Sequence, residues 1–273
     1  MNYRHIYHAG NFADVFKHWI LTLILEKLVE KPTPFCVIDS HAGLGQYNLK
    51  DPNAQKTLEY MTGVQLFLKC EPELAFRSYL TIIKDYKANF DLYPGSPAII
   101  QTFLRQQARL WCAELHPDDY SVLQQNFSTD PRIKVLHQDG YQAIKSLLPP
   151  PERRGLVFID PPFEQINEIS LLVTCLQEAL KRFSHGIYAI WYPIKDKNLV
   201  QKMYREIVSL EAPNCLVVEL HANSIVSNQL SSCGMVIINS PWQLEEKLRD
   251  NMPLLLQYLK LEQGSFKVQS LSK

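Results

Sequence analysis

The chain has 273 residues, enough for one large domain or one domain with an insertion. Its hydrophobic fraction of 46% and charged fraction of 21% are those of an ordinary globular protein. Lys and Arg number 28 and Asp and Glu 28, so the overall basic surplus of a typical nucleic-acid binder is excluded, although a local basic face is not.

In chain order, MNYRHIYHAGN is polar and aromatic, unlike a signal peptide. No apolar run reaches the ~20 residues of a membrane span. Residues 14–31, DVFKHWILTLILEKLVEK, carry apolar positions at 3–4 spacing and predict an amphipathic helix. FCVIDS (35–40) predicts a buried strand, and HAGLGQY a tight turn after it. From 47 to 94 two helical stretches, EYMTGVQLFLKC and ELAFRSYLTIIKDYKANF, follow with no strand between them. That predicts a helical insertion closed by YPGSP (93–97), with another helix in PAIIQTFLRQQ.

Strands and helices then alternate. RLWCAEL (109–115), KVLHQD (134–139), GLVFID (155–160) and GIYAIWYPI (186–194) predict strands, each followed by a helical segment. CLVVELHA (215–222) and GMVIINSPW (234–242) predict two strands without a helix between, and WQLEEKLRDNMPLLLQYL a closing helix. The alternation predicts an α/β fold with a parallel sheet covered on both faces. The last two strands are expected to pair antiparallel at one end, an arrangement that resembles the Rossmann-like class I methyltransferase sheet. The expected division is a methyltransferase domain of 1–46 and 95–273 with the helical subdomain 47–94 inserted.

Six cysteines form no CxxC pair and none lies at zinc-finger spacing to a histidine. Several sit in apolar runs, so free thiols of a reducing, cytoplasmic compartment are expected.

Ligands of open α/β sheets bind beyond the carboxyl ends of the strands. Here the first strand ends in Asp39, followed by His41 and two glycines. The next three end in Glu114, Asp139-Gly140 and Asp160. An acid after the second strand suits ribose hydroxyls, one after the third suits an adenine amine, and glycines admit close approach. The turn DSHAGLG is neither G-x-G-x-x-G nor a Walker loop, so a nucleoside cofactor without phosphates fits better. S-adenosylmethionine meets that requirement. Each strand-end acid taken alone is as well explained as a turn or helix cap.

DPPF (160–163) is the most specific element. The residue before a proline is pushed extended, and neither proline offers an N–H. Asp160, backbone carbonyls and the Phe163 ring would then face the cleft. Such acceptors beside a flat surface suit a planar exocyclic amine aimed at a methyl donor. The ring would stack a base that has left its helix. A structural proline turn is the plainer alternative.

DPPF matches the D/N-P-P-aromatic motif of amino-methyltransferases. Together with YRHIYHAGNFADVFKH, DSHAGLGQY, YPGSP, ELHPDDY, DGYQ, RRGLVFIDPPFE, GIYAIWYPI and GMVIINSPW, it makes nearly the whole chain resemble the RlmJ-type family. Its members methylate N6 of one adenine, adenine 2030, in bacterial 23S ribosomal RNA. The resemblance implies cofactor contacts at His18, His41, Ser96, Glu114, Asp139, Gly140 and Asp160. Asp160 would be the catalytic acceptor, and Tyr3 and Phe163 would meet the substrate base. The family often has tyrosine where this chain has Phe163. DPPF also occurs in guanine-N2 enzymes, so the choice of adenine rests on the N-terminal block.

The same chemistry on guanine N2, cytosine N4 or a protein glutamine amide stays open, as does a non-catalytic RNA-binding protein. No cysteine after DPPF is placed to attack a pyrimidine ring. His5, His8, His18 and His41 could be read as metal ligands, but no supporting cluster accompanies them and no metal is expected. Arg4, Lys17, Arg153, Arg154, Lys195, Lys197, Lys202 and Arg205 are candidates for a basic RNA-facing patch. The partner expected is ribosomal RNA, with no membrane and a monomeric chain.

Overall fold

A computed structural model describes residues 4–71, 73–165, 167–222 and 230–271. Tyr3 lies outside the described residues. A 3-10 turn (His5–Tyr7) leads into helix α1 (Phe12–Glu30), whose first turn is capped by Asn11, the Asp14 N–H donating to its side chain at 2.9 Å. Strand β1 (Cys36–Asp39) follows, then the short strands β2 (Gln46–Tyr47) and β3 (Tyr93–Pro94), which pair antiparallel. Between them lie α2 (Pro52–Thr57), α3 (Val64–Phe67) and α4 (Arg77–Phe90). After α5 (Ser96–Phe103) come β4 (Arg109–Glu114), α6 (Pro117–Phe127), β5 (Ile133–His137), α7 (Gly140–Leu147), β6 (Gly155–Ile159) and α8 (Glu168–Arg182). The chain continues through β7 (Ile187–Pro193), α9 (Lys197–Ser209), β8 (Cys215–His221), β9 (Ser232–Ile238), α10 (Leu244–Tyr258) and β10 (Ser265–Leu271).

Eight strands form one sheet in the order β10-β8-β9-β7-β6-β1-β4-β5. From β7 to β5 the pairing is parallel, while β9 enters antiparallel between β7 and β8. The fold is thus α/β, a mostly parallel sheet with an antiparallel end, as expected. The chain steps outward from β1 to β4 and β5, then returns to β6 on the other side of β1. That reversal opens a crevice at the carboxyl ends of the strands.

Alternate residues of each central strand serve opposite faces. Val37, Leu110, Leu156 and Phe158 join the core that also holds α1, α5 and α10, whereas Cys36, Ile38, Val157 and Ile159 join the one built on α7, α8 and α9. Among the described residues no helix is long and apolar enough to cross a membrane.

Three expectations need correction. Helix α1 is not amphipathic: residues 13–25 are all buried. It is a central core helix, packed among α3, α4, α5, α10 and β9, and such a helix is covered all round. The single helix expected over EYMTGVQLFLKC is broken at Gly63, whose neighbour Val64 donates its N–H to Gly10 O at 2.8 Å. A Cβ at Gly63 would meet Gly10 O at 2.2 Å, so only glycine allows this approach. Third, the chain does not end on α10: FKVQSL adds β10, antiparallel to β8, at the sheet edge.

Candidate active site

A cavity of about 740 Å³ lies at the carboxyl ends of β1, β4, β6 and β7. His18, His41, Ser96, Glu114, Asp139, Gly140 and Asp160, expected from the sequence to gather around one ligand, all line it.

Glu114 ends β4, and its two oxygens accept from the Gly43 N–H at 2.9 Å and the His116 N–H at 2.8 Å. Each carboxylate oxygen keeps a second lone pair, so a diol could still be bound. Burial raises the Glu114 pKa, and the two backbone N–H groups oppose it. Asp139 caps α7 through one oxygen, which accepts from the Gln142 N–H at 3.0 Å. Gly140 sits against the β1 turn so closely that a Cβ would meet Ser40 O at 2.2 Å and the His41 ring at 2.7 Å. Asp39 is fully buried, and neither of its oxygens makes a hydrogen bond of normal geometry. Burial pushes its carboxyl up to about 7; the nearby Ser96 hydroxyl opposes this and the Asp160 charge reinforces it. A diol acceptor, an amine acceptor, a close-approach glycine and an orphaned buried acid suit an adenosine-bearing, positively charged ligand. The residues present therefore fit S-adenosylmethionine.

Burial drives the His18 pKa down to about 3 and that of His41 to about 4, so both rings are neutral at physiological pH. The His18 Nδ1 is 2.8 Å from the Tyr93 hydroxyl, and the His41 Nδ1 is 2.8 Å from the Ser40 hydroxyl.

Around Asp160 the structure adds groups that the sequence reading had not assigned to this site or had placed on an RNA face. Lys17 Nζ donates to Asp160 Oδ2 at 2.5 Å and forms an ion pair with Asp14 Oδ1 at 2.7 Å. Asp14 Oδ2 in turn accepts from the Gly10 N–H at 2.8 Å and faces the His5 Nε2 at 3.0 Å. Burial would raise the Asp14 carboxyl, but His5 and Lys17 outweigh it and hold its pKa well below the usual range. The N-terminal segment folds along the cavity wall. His8 meets Glu59 at 3.0 Å, and Asn11 donates to the same carboxylate. Tyr141 donates to Glu168 at 2.7 Å, and Trp191, at the end of β7, also lines the cavity. From the sequence Lys17 is a candidate for the RNA-facing patch and Asp14 carries no expectation; the signal for the site is an Asp–Lys pair three apart inside an apolar helix.

Phe163 is not in the wall. Its backbone takes a left-handed φ of 50°, rare for a bulky residue, and its ring meets Trp191 edge-on with centroids 6.2 Å apart. The extended path expected through the prolines ends in this turn. Arg153 and Arg154 precede β6 and so lie at the amino edge of the sheet, away from the site; Arg154 donates to the Leu28 and Thr33 carbonyls. Lys17 is buried in the site rather than on an RNA face, and Arg4 pairs with Asp119 at 2.7 Å.

Comparison with known proteins agrees with this geometry. The chain is 38% identical over 259 residues to Ribosomal RNA large subunit methyltransferase J of Escherichia coli (strain K12), covering 93% of this chain and 92% of that one. It is also 38% identical over 266 residues to the Haemophilus influenzae protein of the same name, covering 95% and 94%. A crystal structure of a Legionella pneumophila protein superposes with a TM-score of 0.88 at 34% identity, covering 97% of this chain and 99% of that one. Residues 32–272 match the family model described as ribosomal RNA large subunit methyltransferase D, RlmJ, and the chain belongs to that family.

Proposed function

We propose that the chain methylates N6 of a single adenine in 23S ribosomal RNA, adenine 2030 by resemblance, with Asp160 as the acceptor for the amine. Its family makes it an S-adenosylmethionine-dependent ribosomal RNA methyltransferase. The observation that carries the reading is the shared cavity: Asp160 lines the same space as Glu114 and Asp139.

S-adenosylmethionine supplies, when bound, a methyl group activated on a sulfonium. Glu114 would accept the ribose hydroxyls, and Asp139 the adenine amine beside Gly140. His18, His41 and Ser96 would line the remainder, their rings neutral and therefore not repelling a cation. Lys17, anchored by Asp14, holds Asp160 Oδ2 and leaves Oδ1 for the target amine. Asp160 accepts a hydrogen bond from that amine, stabilises positive charge growing on the nitrogen and can take its proton. Tyr3 belongs to the substrate side of this proposal through the family resemblance.

The same reading treats 47–94 as a helical subdomain carried by a methyltransferase domain of 1–46 and 95–273. The β2–β3 pair at its neck and the Gly95 N–H bonded to Gly45 O at 2.9 Å support that division. A monomeric chain belongs to the same reading. All six cysteines are free thiols, which supports a cytoplasmic protein.

The test is mass mapping of modified nucleosides in ribosomal RNA from a deletion strain, with purified enzyme added back. Loss and restoration of one N6-methyladenosine is the expected result. Loss of a guanine or cytosine mark instead would overturn the choice of base.

A further inference from the structure

Behind His18 lies a file of buried polar side chains. The His18 Nδ1 is 2.8 Å from the Tyr93 hydroxyl, and that hydroxyl is 3.2 Å from the hydroxyl of Tyr79. Both tyrosines are fully buried, and neither lines the cavity. The three side chains come from three elements: His18 from α1, Tyr93 from β3, and Tyr79 from α4.

Counting protons fixes the direction of the file. A phenol has one proton to donate, and a neutral imidazole has one N–H. Among the described residues the Tyr79 hydroxyl meets one partner, the Tyr93 oxygen, so its proton goes there. The Tyr93 proton is then left for His18 Nδ1, the other acceptor within reach. Nδ1 is therefore the bare nitrogen, and the single N–H of the ring sits on Nε2. The reverse order would have Nδ1–H donate to Tyr93 and Tyr93 to Tyr79, which strands the Tyr79 proton in the core, a rare state for a buried donor. Burial keeps the ring neutral, so no second proton blurs the assignment. Nε2 has no partner among the described residues, and the ring lines the cavity. S-adenosylmethionine has one anionic group, its methionyl carboxylate. A neutral N–H is a donor for that group which adds no positive charge beside a sulfonium.

We propose that Tyr93, backed by Tyr79, is a positioning residue of the cofactor site: it holds His18 as the tautomer that offers Nε2–H to the carboxylate of S-adenosylmethionine. The proposal rests on the reading of His18 as a cofactor contact. It gives α4, in the helical stretch between β2 and β3, a part in cofactor binding, although among the described residues none of α4 reaches the cavity wall.

The direct readout is nitrogen NMR of the whole protein isotopically labelled at histidine, with the His18 signals assigned by their absence from His18→Gln. Wild type should show the Nε2–H tautomer, with or without S-adenosylhomocysteine; the Nδ1–H tautomer overturns the proposal. Calorimetry with S-adenosylhomocysteine and steady-state kinetics then compare Tyr93→Phe, Tyr79→Phe and His18→Gln, which keep the packing volume close to wild type. Affinity falls with the fraction of rings held in the competent state. Tyr93→Phe should weaken S-adenosylhomocysteine and raise KM for S-adenosylmethionine by about fivefold, the scale of one neutral hydrogen bond, with kcat within about twofold. Tyr79→Phe should lose less, because the Tyr93 proton still has only His18 to go to. In the His18→Gln background, where no tautomer is left to hold, Tyr93→Phe should change affinity by less than about twofold. The proposal is overturned if Tyr93→Phe stays within about twofold of wild type, or loses as much in the His18→Gln background. It is also overturned if Tyr79→Phe loses more than Tyr93→Phe. Full affinity in His18→Ala would instead remove His18 from the cofactor contacts, and the proposal with it.

Discussion

At the carboxyl end of the parallel sheet, Glu114, Asp139 and Asp160 line one cavity and Asp39 is buried at the end of β1; at the amino end, arginines take the matching places. There Arg154 donates to Leu28 O at 2.5 Å and Thr33 O at 3.1 Å, Arg105 to Val29 O at 2.5 Å, and Arg132 to Leu104 O. The Leu28, Val29 and Leu104 carbonyls end α1 and α5, so the guanidiniums cap helices whose last oxygens lack partners within the helix. The acids differ in what they leave undone. Both oxygens of Asp39 lack a hydrogen bond of normal geometry, and Glu114 is only half satisfied by two backbone N–H groups. Charge spent on the protein's own backbone marks a staple, and charge held buried with acceptor capacity to spare marks a ligand site.

The strongest way to break that contrast is at Asp160. Asp160→Ala should lower methyl transfer by at least about a thousandfold, since it removes both the acceptor for the amine and the charge opposing the developing cation. S-adenosylhomocysteine should still bind and the melting temperature should stay close to wild type. Turnover within tenfold of wild type would remove Asp160 from the chemistry.

A pH series sharpens the contrast next. The Asp39 carboxyl rises from 3.8 to about 7 on folding, so between those values the native state keeps a proton that the unfolded chain has released. Stability from this group therefore falls as pH rises through that window and is flat above it. His18, at about 3, and His41, at about 4, have the opposite sign. The unfolded chain takes up protons below about 6.5 that the native rings refuse, so their contribution is lost as pH falls. Asp39→Asn removes only the first effect. Relative to wild type, the variant should gain a few kcal/mol as pH goes from 5 to about 7, and no more above, at about 1.4 kcal/mol per pKa unit. Urea midpoints that run parallel for the two proteins across this range would show that Asp39 is ionised in the native state.

Much of this arrangement is legible in the sequence, because strand-end positions are. Period and chain order place Glu114, Asp139 and Asp160 at one edge, and the turn glycines tell which edge binds. What the sequence hides is what depends on the third dimension. Lys17 looks like a solvated helix charge until α1 is seen to be buried on every side. Trp191 looks like one more strand residue until the Lys17 ammonium bonded to Asp160 is seen 5.5 Å from its ring centroid. The left-handed turn at Phe163 was hidden because no glycine announces it. Strand β10 was passed over because FKVQSL is a short, half-buried alternation that follows a strong helix.

Within the acidic edge, Glu114→Ala should weaken S-adenosylhomocysteine by roughly 100-fold, the scale of losing two hydrogen bonds to a charged acceptor. The matching change at the amino edge is Arg154→Met, which keeps much of the side-chain length and removes the guanidinium. It should leave kcat/KM where it is, since Arg154 lies across the sheet from the cavity. Its hydrogen bonds to Leu28 O and Thr33 O are lost, at a cost of about 1–2 kcal/mol. For a chain of this size that is a fall of about 3–6 °C in melting temperature. A loss of RNA methylation in Arg154→Met with unchanged melting would move Arg154 from the staples to the substrate surface. It would also restore the RNA-facing role that its place beside DPPF in the sequence suggests.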